Sequence, residues 1–339
     1  MFQTLLIFLF LFLQAPVDSA EITLQELFEN YWEYSLQSSP LFATSQGDDR
    51  FNDQLPETGL DAVEKSYQKS KEFLNKLHEI SREELSDESQ LNYDIFENQM
   101  EGSIRAYELN HHLLPLNGWW DYHASFATLA DDVPLESVND YENYLSRLKG
   151  FAEYNGGYIE RIRKGMELGI VRPNIVFDDY VASIEALITE TPEDHRLYTP
   201  FEEYPDSFSN EEKERLTNRA QEVIGEIVIP EYERLRDFLV EEYIPNTTET
   251  IGITAIPGGE EYYDYLIEDH TTIDITADEV HQIGLNEVAR IRSEMMEIVE
   301  SEGYGDGFDA FVEFLRTDDQ FYVDTPEELL KETAYVLKT

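Results

Sequence analysis

The chain has 339 residues, no cysteine, and 72 acidic against 24 basic side chains, for a formal net charge of −48. A surface this acidic repels nucleic-acid phosphates and anionic lipid head groups, so neither is expected as a partner. The lack of cysteine excludes disulfides, thiol catalysis and Cys-ligated zinc. Stability must therefore come from burial of a large core, which a chain of this length can provide.

The N-terminus carries the pattern of a secretory signal. Residues 5–13 are the unbroken apolar run LLIFLFLFL, and small side chains follow within residues 17–20. Such a run is typical of a signal-peptide core and is too short to span a bilayer. We predict a signal peptide at residues 1–19, a secreted or periplasmic protein, and no membrane span. The alternative is a buried N-terminal helix.

A 3.6-residue period of apolar side chains dominates the rest of the chain and predicts an all-α fold. Glycine at positions 156 and 157 predicts a break in a helix over residues 140–169, and Pro230 predicts a kink in a helix over residues 210–242. Helix starts with Ser or Thr followed three residues later by Glu, the capping-box pattern, begin at Thr23, Ser209, Thr276 and Thr325.

One segment departs from the helical pattern. Residues 250–256, TIGITAI, alternate like a strand and end at a Pro-Gly-Gly sequence. We therefore expect one or two short strands near 250–256 within a mainly helical protein. No internal repeat or low-complexity linker appears, so residues 20–339 are predicted to form a single domain.

Catalytic and metal-binding motifs are missing from these residues. The sequence has no G-x-S-x-G, no phosphate-binding P-loop and no calcium-binding D-x-[DN]-x-[DN]-G loop. His78 precedes a glutamate, but Arg82 stands where H-E-x-x-H needs its second histidine. His111 and His112 are adjacent and would point about 100° apart on a helix, unlike the i, i+4 pair that zinc uses. No catalytic residue, metal ligand or cofactor is predicted for this chain.

Two clusters are candidates for binding a substrate, which we expect to be a peptide. The first lies in the loop LLPLNGWWDYH and contains Trp119, Trp120 and His123. Aromatic side chains in a loop often contact ligands. The alternative is that they fill the helical core.

The second candidate cluster contains Gly258, Gly259, Tyr262 and Tyr263. Adjacent glycines let another backbone approach closely, and an exposed strand beside them could hold an extended peptide. The alternative is a tight turn between the strand and the following helix.

Several long segments resemble the family called domain of unknown function 885. They are YWEYSLQSSPLFATSQGDDRFNDQLPE at 31–57, DYENYLSRLKGF at 140–151, GYIERIRKGMELGIVRPNIV at 157–176 and IPGGEEYYDYLIEDHTTIDITADEVHQIGLNEVARIRSEM at 256–295. The resemblance implies a zincin-like helical fold similar to metallopeptidases of the carboxypeptidase and oligopeptidase type.

The same resemblance sets the functional expectation. Family members carry a downstream H-E-x-x-P-G-H-x-x-Q segment that would bind zinc, and this sequence stops before it. Zinc is thus expected in full-length relatives and not in this chain. We expect the chain to be the N-terminal part of an exported metallopeptidase-like hydrolase acting on peptides, inactive by itself. The alternative is a genuinely short secreted protein that binds peptides without catalysis. The oligomeric state is open.

Overall fold

The computed structural model describes residues 19–116, 121–304 and 307–338. Within these ranges all regular elements are helical, which confirms the all-α prediction. The α-helices are α1 Ser19–Ser38, α2 Pro40–Ser45, α3 Leu60–His78, α4 Asp87–Glu108, α5 Tyr122–Ala127, α6 Val138–Lys149, α7 Phe151–Glu167, α8 Tyr180–Glu185, α9 Asn210–Val223, α10 Ile229–Asp237, α11 Gly259–Thr271, α12 Ala277–Ser301, α13 Phe308–Thr317 and α14 Pro326–Val336.

The predicted strand at residues 250–256 is wrong. This segment contains a 3₁₀ turn, Ile253–Ala255, and no strand occurs in the described ranges. A strand needs a ladder of backbone hydrogen bonds to a neighbour. The nearest approach to one is an isolated bridge between Thr248 and Pro173, and proline has no N–H with which to extend it. Alternation of isoleucines here marks a half-buried turn, with Ile256 buried and Ile251 exposed.

The chain forms two compact units, the first ending at Asp269 and the second beginning at His270. The single domain over residues 20–339 stays a prediction. In the first unit, one core cluster lies among α5 to α10 and a smaller one joins α1, α3 and α4. In the second unit, aromatic rings at the α12–α13 turn and beyond pack edge to face or tilted: Tyr304, Phe311, Phe314 and Phe321.

Capping boxes explain where two long helices begin. Ser209 and Thr276 each accept a hydrogen bond from the backbone N–H three residues on, while the glutamate at that position bonds back to the cap. Thr325 also caps α14, accepting from the N–H of Glu328 at 3.2 Å. These three predicted helix starts are confirmed.

The predicted start at Thr23 is wrong. The helix α1 already includes Ser19, and the Thr23 hydroxyl donates to the Ser19 carbonyl at 2.8 Å. Threonine in a helix interior commonly bonds back to the carbonyl four residues earlier. The same residue pair, Thr followed three later by Glu, therefore occurs here inside a helix.

The predicted break at Gly156-Gly157 is also wrong, because α7 continues through both residues. Gly157 is needed for close packing. A Cβ there would lie 2.3 Å from Thr58 Oγ1 and 2.5 Å from the Gly59 nitrogen. The Thr58 hydroxyl donates to the Tyr154 carbonyl on the same helix at 2.7 Å. Glycine thus lets the loop before α3 lie directly on α7.

The helix around Pro230 stays helical by changing its type. A π-helical turn, Ile224–Val228, separates α9 from α10, and Pro230 lies in the first turn of α10. Proline removes a backbone donor and its ring clashes with the preceding turn of a regular α-helix. The wider π turn accommodates it, and a second π-helical segment, Phe238–Tyr243, follows.

Arg147 of α6 ties the N-terminal segment of the first unit to its core. Its side chain is almost fully buried. The Nε–H donates to the Gln54 carbonyl at 2.9 Å, and Nη2 donates to Thr44 Oγ1 at 2.6 Å. Nη2 also lies 3.2 Å from the carbonyls of Pro40 and Phe51. The segment between α2 and α3 is therefore held by one buried guanidinium.

Candidate functional site

The two candidate glycines form the turn that begins α11. Gly258 has φ +72°, a left-handed conformation that side-chain-bearing residues rarely adopt. A Cβ on Gly259 would lie 1.9 Å from the Ile253 carbonyl oxygen. Both glycines are required by the turn geometry, which favours the tight-turn alternative.

The two candidate tyrosines of α11 have different surroundings. Tyr262 is buried, and its hydroxyl lies 2.7 Å from His111 Nδ1. Tyr263, the next residue, is 43% exposed. Of the second cluster, Tyr262 is thus the side chain that reaches the loop before the tryptophans.

Two arginines hold the carbonyls of that loop. Arg161 Nε donates to the His112 carbonyl at 2.7 Å. Arg172 donates through Nε to the Leu116 carbonyl at 2.7 Å and through Nη2 to the Leu114 carbonyl at 3.1 Å. Guanidinium groups can satisfy several carbonyls at once. They fix the backbone leading into residues 117–120.

Aromatic stacking positions His112. Its ring stacks on Tyr107 at a centroid distance of 4.5 Å, and Tyr107 stacks on Tyr67 at 4.3 Å. Burial, followed by the charge of Arg161, lowers the pKa of His112 to about 4. The imidazole is therefore neutral at physiological pH, and its Nδ1 is buried without a partner among the described residues.

The first candidate cluster is only partly described. Trp119 and Trp120 lie outside the described residues. His123 is buried, with Nε2 3.1 Å from Ser183 Oγ and Nδ1 3.2 Å from the Tyr180 hydroxyl. Its described partners do not include Gly258, Gly259, Tyr262 or Tyr263. Its geometry favours the core-filling alternative, and its role in substrate binding stays a prediction.

A cleft of about 590 Å³ lies beside this region in the first unit. Its floor includes Tyr158 and Arg161 of α7, one turn apart. The walls come from the end of α1, the loop before α3 and the start of α3. The lining residues of these walls are Tyr34, Gln37, Ser38, Ser39, Pro40, Gln54, Leu55, Pro56, Glu57, Thr58, Ala62, Val63, Lys65 and Ser66.

The guanidinium of Arg161 contacts an aromatic ring in this cleft. It lies over the Tyr158 ring, 5.0 Å from the centroid, and Tyr158 in turn stacks on Tyr122 at 3.9 Å. No ion pair joins Arg161 to a carboxylate in the part of the chain that the structure describes. By contrast, Arg105 in a second cleft, of about 360 Å³, is paired with Glu268.

Sequence reasoning missed both Tyr158 and Arg161. Their spacing of three residues places them on one helix face. However, the segment YIERIRK contains two arginines and a lysine, and the sequence does not show which of these cations binds a ligand. Arg163 and Lys164 pair with glutamates, whereas no carboxylate pairs with Arg161 among the described residues, and sequence does not display that difference.

Residues 19–116, 121–304 and 307–338 contain no group of three or more His, Asp or Glu side chains placed to hold a metal ion. In the same ranges, no helix combines the length and hydrophobicity required for crossing a bilayer.

Known proteins provide the remaining context. No curated protein matches the chain. One similar solved structure is described as "the putative lipoprotein from Colwellia psychrerythraea"; it superposes with a TM-score of 0.84 at 20% identity. The match covers 95% of this chain but 59% of that structure, so the chain spans less than two thirds of its length. At this identity the likeness establishes the fold alone.

The family description "Bacterial protein of unknown function (DUF885)" matches residues 40–339. This range includes the cleft residues of α7, the loop before α3 and the whole of α11. The chain therefore belongs to the DUF885 family.

Proposed function

We propose that this chain forms the N-terminal, peptide-binding part of an exported metallopeptidase-like hydrolase. The observation that carries the proposal is the cleft over Tyr158 and Arg161. Its volume of about 590 Å³ is in the range of sites that bind small ligands. Tyrosine rings offer apolar surface to side chains, and polar groups of the loop before α3 can bond a peptide backbone.

The proposal assigns no catalytic residue and no zinc ligand to this chain. Its residues do not fit a zinc site within the described ranges. The resemblance to zincin-like peptidases supports the hydrolase assignment, since such relatives carry their metal site downstream. The larger size of the similar solved structure is compatible with this division.

The chain is expected to bind peptides and to leave them intact. The test is incubation of the purified chain with a mixture of synthetic tri- to pentapeptides, with Zn²⁺ or with a chelator, followed by mass spectrometry. Binding of the same peptides is measured by calorimetry. Hydrolysis that appears with Zn²⁺ and disappears with the chelator would contradict the assignment.

The same cleft supports a second candidate, a secreted peptide-binding protein without catalysis. The two differ in the size of the native product. An intact mass well above that of residues 20–339 favours the hydrolase, and a mass equal to it favours the binding protein. The same measurement tests export, because a mature chain that begins near residue 20 is expected after signal-peptide cleavage.

A further inference from the structure

We propose that Arg161 anchors a carboxylate of the ligand, and that the cleft therefore prefers peptides with a free C-terminal carboxylate. This inference rests on the proposed peptide binding and specifies which peptides are bound. It is carried by the cleft, by the unpaired guanidinium at its floor, and by the stacked ring beneath that guanidinium.

Arg161, like Arg147 and Arg172, has no ion pair among the described residues, but of these three it is the one that lines the cleft. Acidic side chains outnumber basic ones threefold, 72 to 24, so a cation meets a carboxylate easily. Arg163, two residues further along α7, pairs with Glu242 at 2.7 Å. Arg234 pairs with Glu231 at 3.1 Å. Arg161 has instead a carbonyl and an aromatic ring, which leave its positive charge uncompensated among the described residues.

The donors of Arg161 are arranged for a carboxylate. The Nε–H is used by the His112 carbonyl at 2.7 Å. The two terminal nitrogens pair with no carboxylate among the described residues, and the neutral Tyr158 hydroxyl is a hydrogen-bonding neighbour of the group. A carboxylate accepts two such parallel bonds at once, and this bidentate geometry is the one that arginine recognises best.

Tyr158 packs against that guanidinium. The ring lies 5.0 Å from the guanidinium carbon, within the range of a cation–π contact. Tyr122 stacks on the Tyr158 ring at 3.9 Å, and the Tyr122 hydroxyl donates to Asn155 Oδ1 at 2.8 Å. A donor held rigidly in advance loses little entropy when the ligand binds.

The acidic groups near the cleft are already engaged. Glu57 pairs with Lys65 at 3.1 Å, and both line the cleft. Glu160, beside Arg161 in sequence, accepts the N–H of Leu60 at 3.0 Å. A ligand carboxylate thus meets the guanidinium of Arg161 in a protein that elsewhere repels anions. A phosphate group would carry more negative charge but has no apolar side chains to pack against the tyrosine rings of the cleft. The peptide carboxylate is therefore favoured.

The experiment compares two forms of one probe by calorimetry on the whole chain. The probes are acetyl-Ala-Ala-Phe with a free carboxylate and the same tripeptide as its C-terminal amide. The acid is expected to bind about 10- to 100-fold more tightly, as charge-assisted hydrogen bonds allow. Inorganic phosphate should not displace the acid at concentrations similar to that of the peptide.

Three variants locate the effect, with folding checked by circular dichroism. Arg161→Gln should abolish the preference for the acid. Arg163→Gln, with the same charge change on the same helix, should preserve it. Arg161→Lys keeps the charge and should give an intermediate preference, so the proposal stays testable if Arg161→Gln does not fold.

Several outcomes would overturn the proposal, and they differ from failure of the proposed function. Equal binding of acid and amide, or a preference that survives Arg161→Gln, removes the carboxylate anchor while peptide binding stands. Equal loss in Arg163→Gln indicates a general charge effect and also overturns it, as does ready displacement by phosphate. If neither probe nor any peptide of the mixture binds, the proposed function itself fails.

Discussion

Three histidines of the first unit have pKa values lowered to about 4, chiefly by burial: His112, His123 and His195. Their contacts suit neutral rings. His195 Nδ1 accepts the N–H of Leu197 at 3.1 Å, which a protonated ring could not do. Lowering the pH should therefore lower the free energy of unfolding of the first unit, because these buried histidines are protonated more readily in the unfolded chain.

The direction in which pH changes the stability follows from the pKa of His123 in the folded and unfolded states. The pKa of an exposed histidine is about 6.5, against about 4 in the fold. Above about pH 6.5 neither state binds the proton. As the pH falls toward 4, the unfolded chain binds it and the folded chain does not, so the free energy of unfolding falls.

His123→Asn removes this proton linkage. The stability advantage of the native protein over the variant should shrink by about 2 kcal/mol between about pH 7.5 and pH 5. Urea denaturation at both pH values measures it. Taking the difference cancels the effect of acid on the general self-repulsion of the chain. A pH-independent difference would show that folding does not lower the pKa of His123.

The glycine pair of α7 gives a matched prediction at two adjacent residues. Gly157→Ala would bring a Cβ to 2.5 Å from the backbone nitrogen of Gly59 and should cost about 1–3 kcal/mol. Gly156→Ala meets only the end of the Arg234 side chain, at 3.7 Å, and should stabilise by about 0.5–1 kcal/mol through helix propensity. Chemical denaturation measures both. Similar effects of the two changes would contradict the close packing.

Among the elements, helix starts show what a local pattern can predict. Ser209 and Thr276 follow loop residues, and each caps the helix after it. Thr23 has the same pattern but lies in the interior of α1, because its helix begins earlier. The strand predicted at residues 250–256 failed for a similar reason. Alternation is local, whereas a ladder needs a second segment that the fold does not supply.

The two kinds of Ser/Thr position should respond differently to alanine. Ser209→Ala removes the acceptor for the Glu212 N–H and should cost about 0.5–2 kcal/mol. Thr23→Ala removes only a hydroxyl bonded back to Ser19 and should be neutral or stabilising by about 0.5 kcal/mol. Thermal unfolding of both variants provides the measurement. A larger loss for Thr23→Ala would indicate that it acts as a cap after all.

At the scale of the whole molecule, the net charge of −48 works against compactness. Most ion pairs join exposed or half-exposed side chains, such as the exposed Lys65 and Glu57, and contribute little. Raising NaCl from about 0.02 to 0.5 M should therefore raise Tm by roughly 2–6 °C, because screening weakens self-repulsion more than it weakens these pairs. KCl should act equally. A falling Tm would show that the ion pairs dominate.

The fold class and the family could be predicted from the sequence, since helical periodicity and long family segments are local properties. The candidate site could be predicted only in part. Gly258, Gly259 and Tyr262 stand out by pattern, and the fold brings Tyr262 to His111. Arg161 could not be separated from Arg163, because the carboxylate that pairs with Arg163 lies 79 residues later, at Glu242.

The buried hydrogen bonds of Arg147 also affect the order in which parts of the chain can fold during synthesis. Nη2 bonds the Pro40 carbonyl across 107 residues of sequence, whereas α3 and α4 are neighbours in the chain. The hairpin of α3 and α4 can form as soon as it is synthesised. The segment around Pro40 must wait until α6 exists, a delay of about 5–20 s at usual translation rates. During that interval the segment around Pro40 lacks the hydrogen bonds of Arg147 and is open to chaperones and proteases.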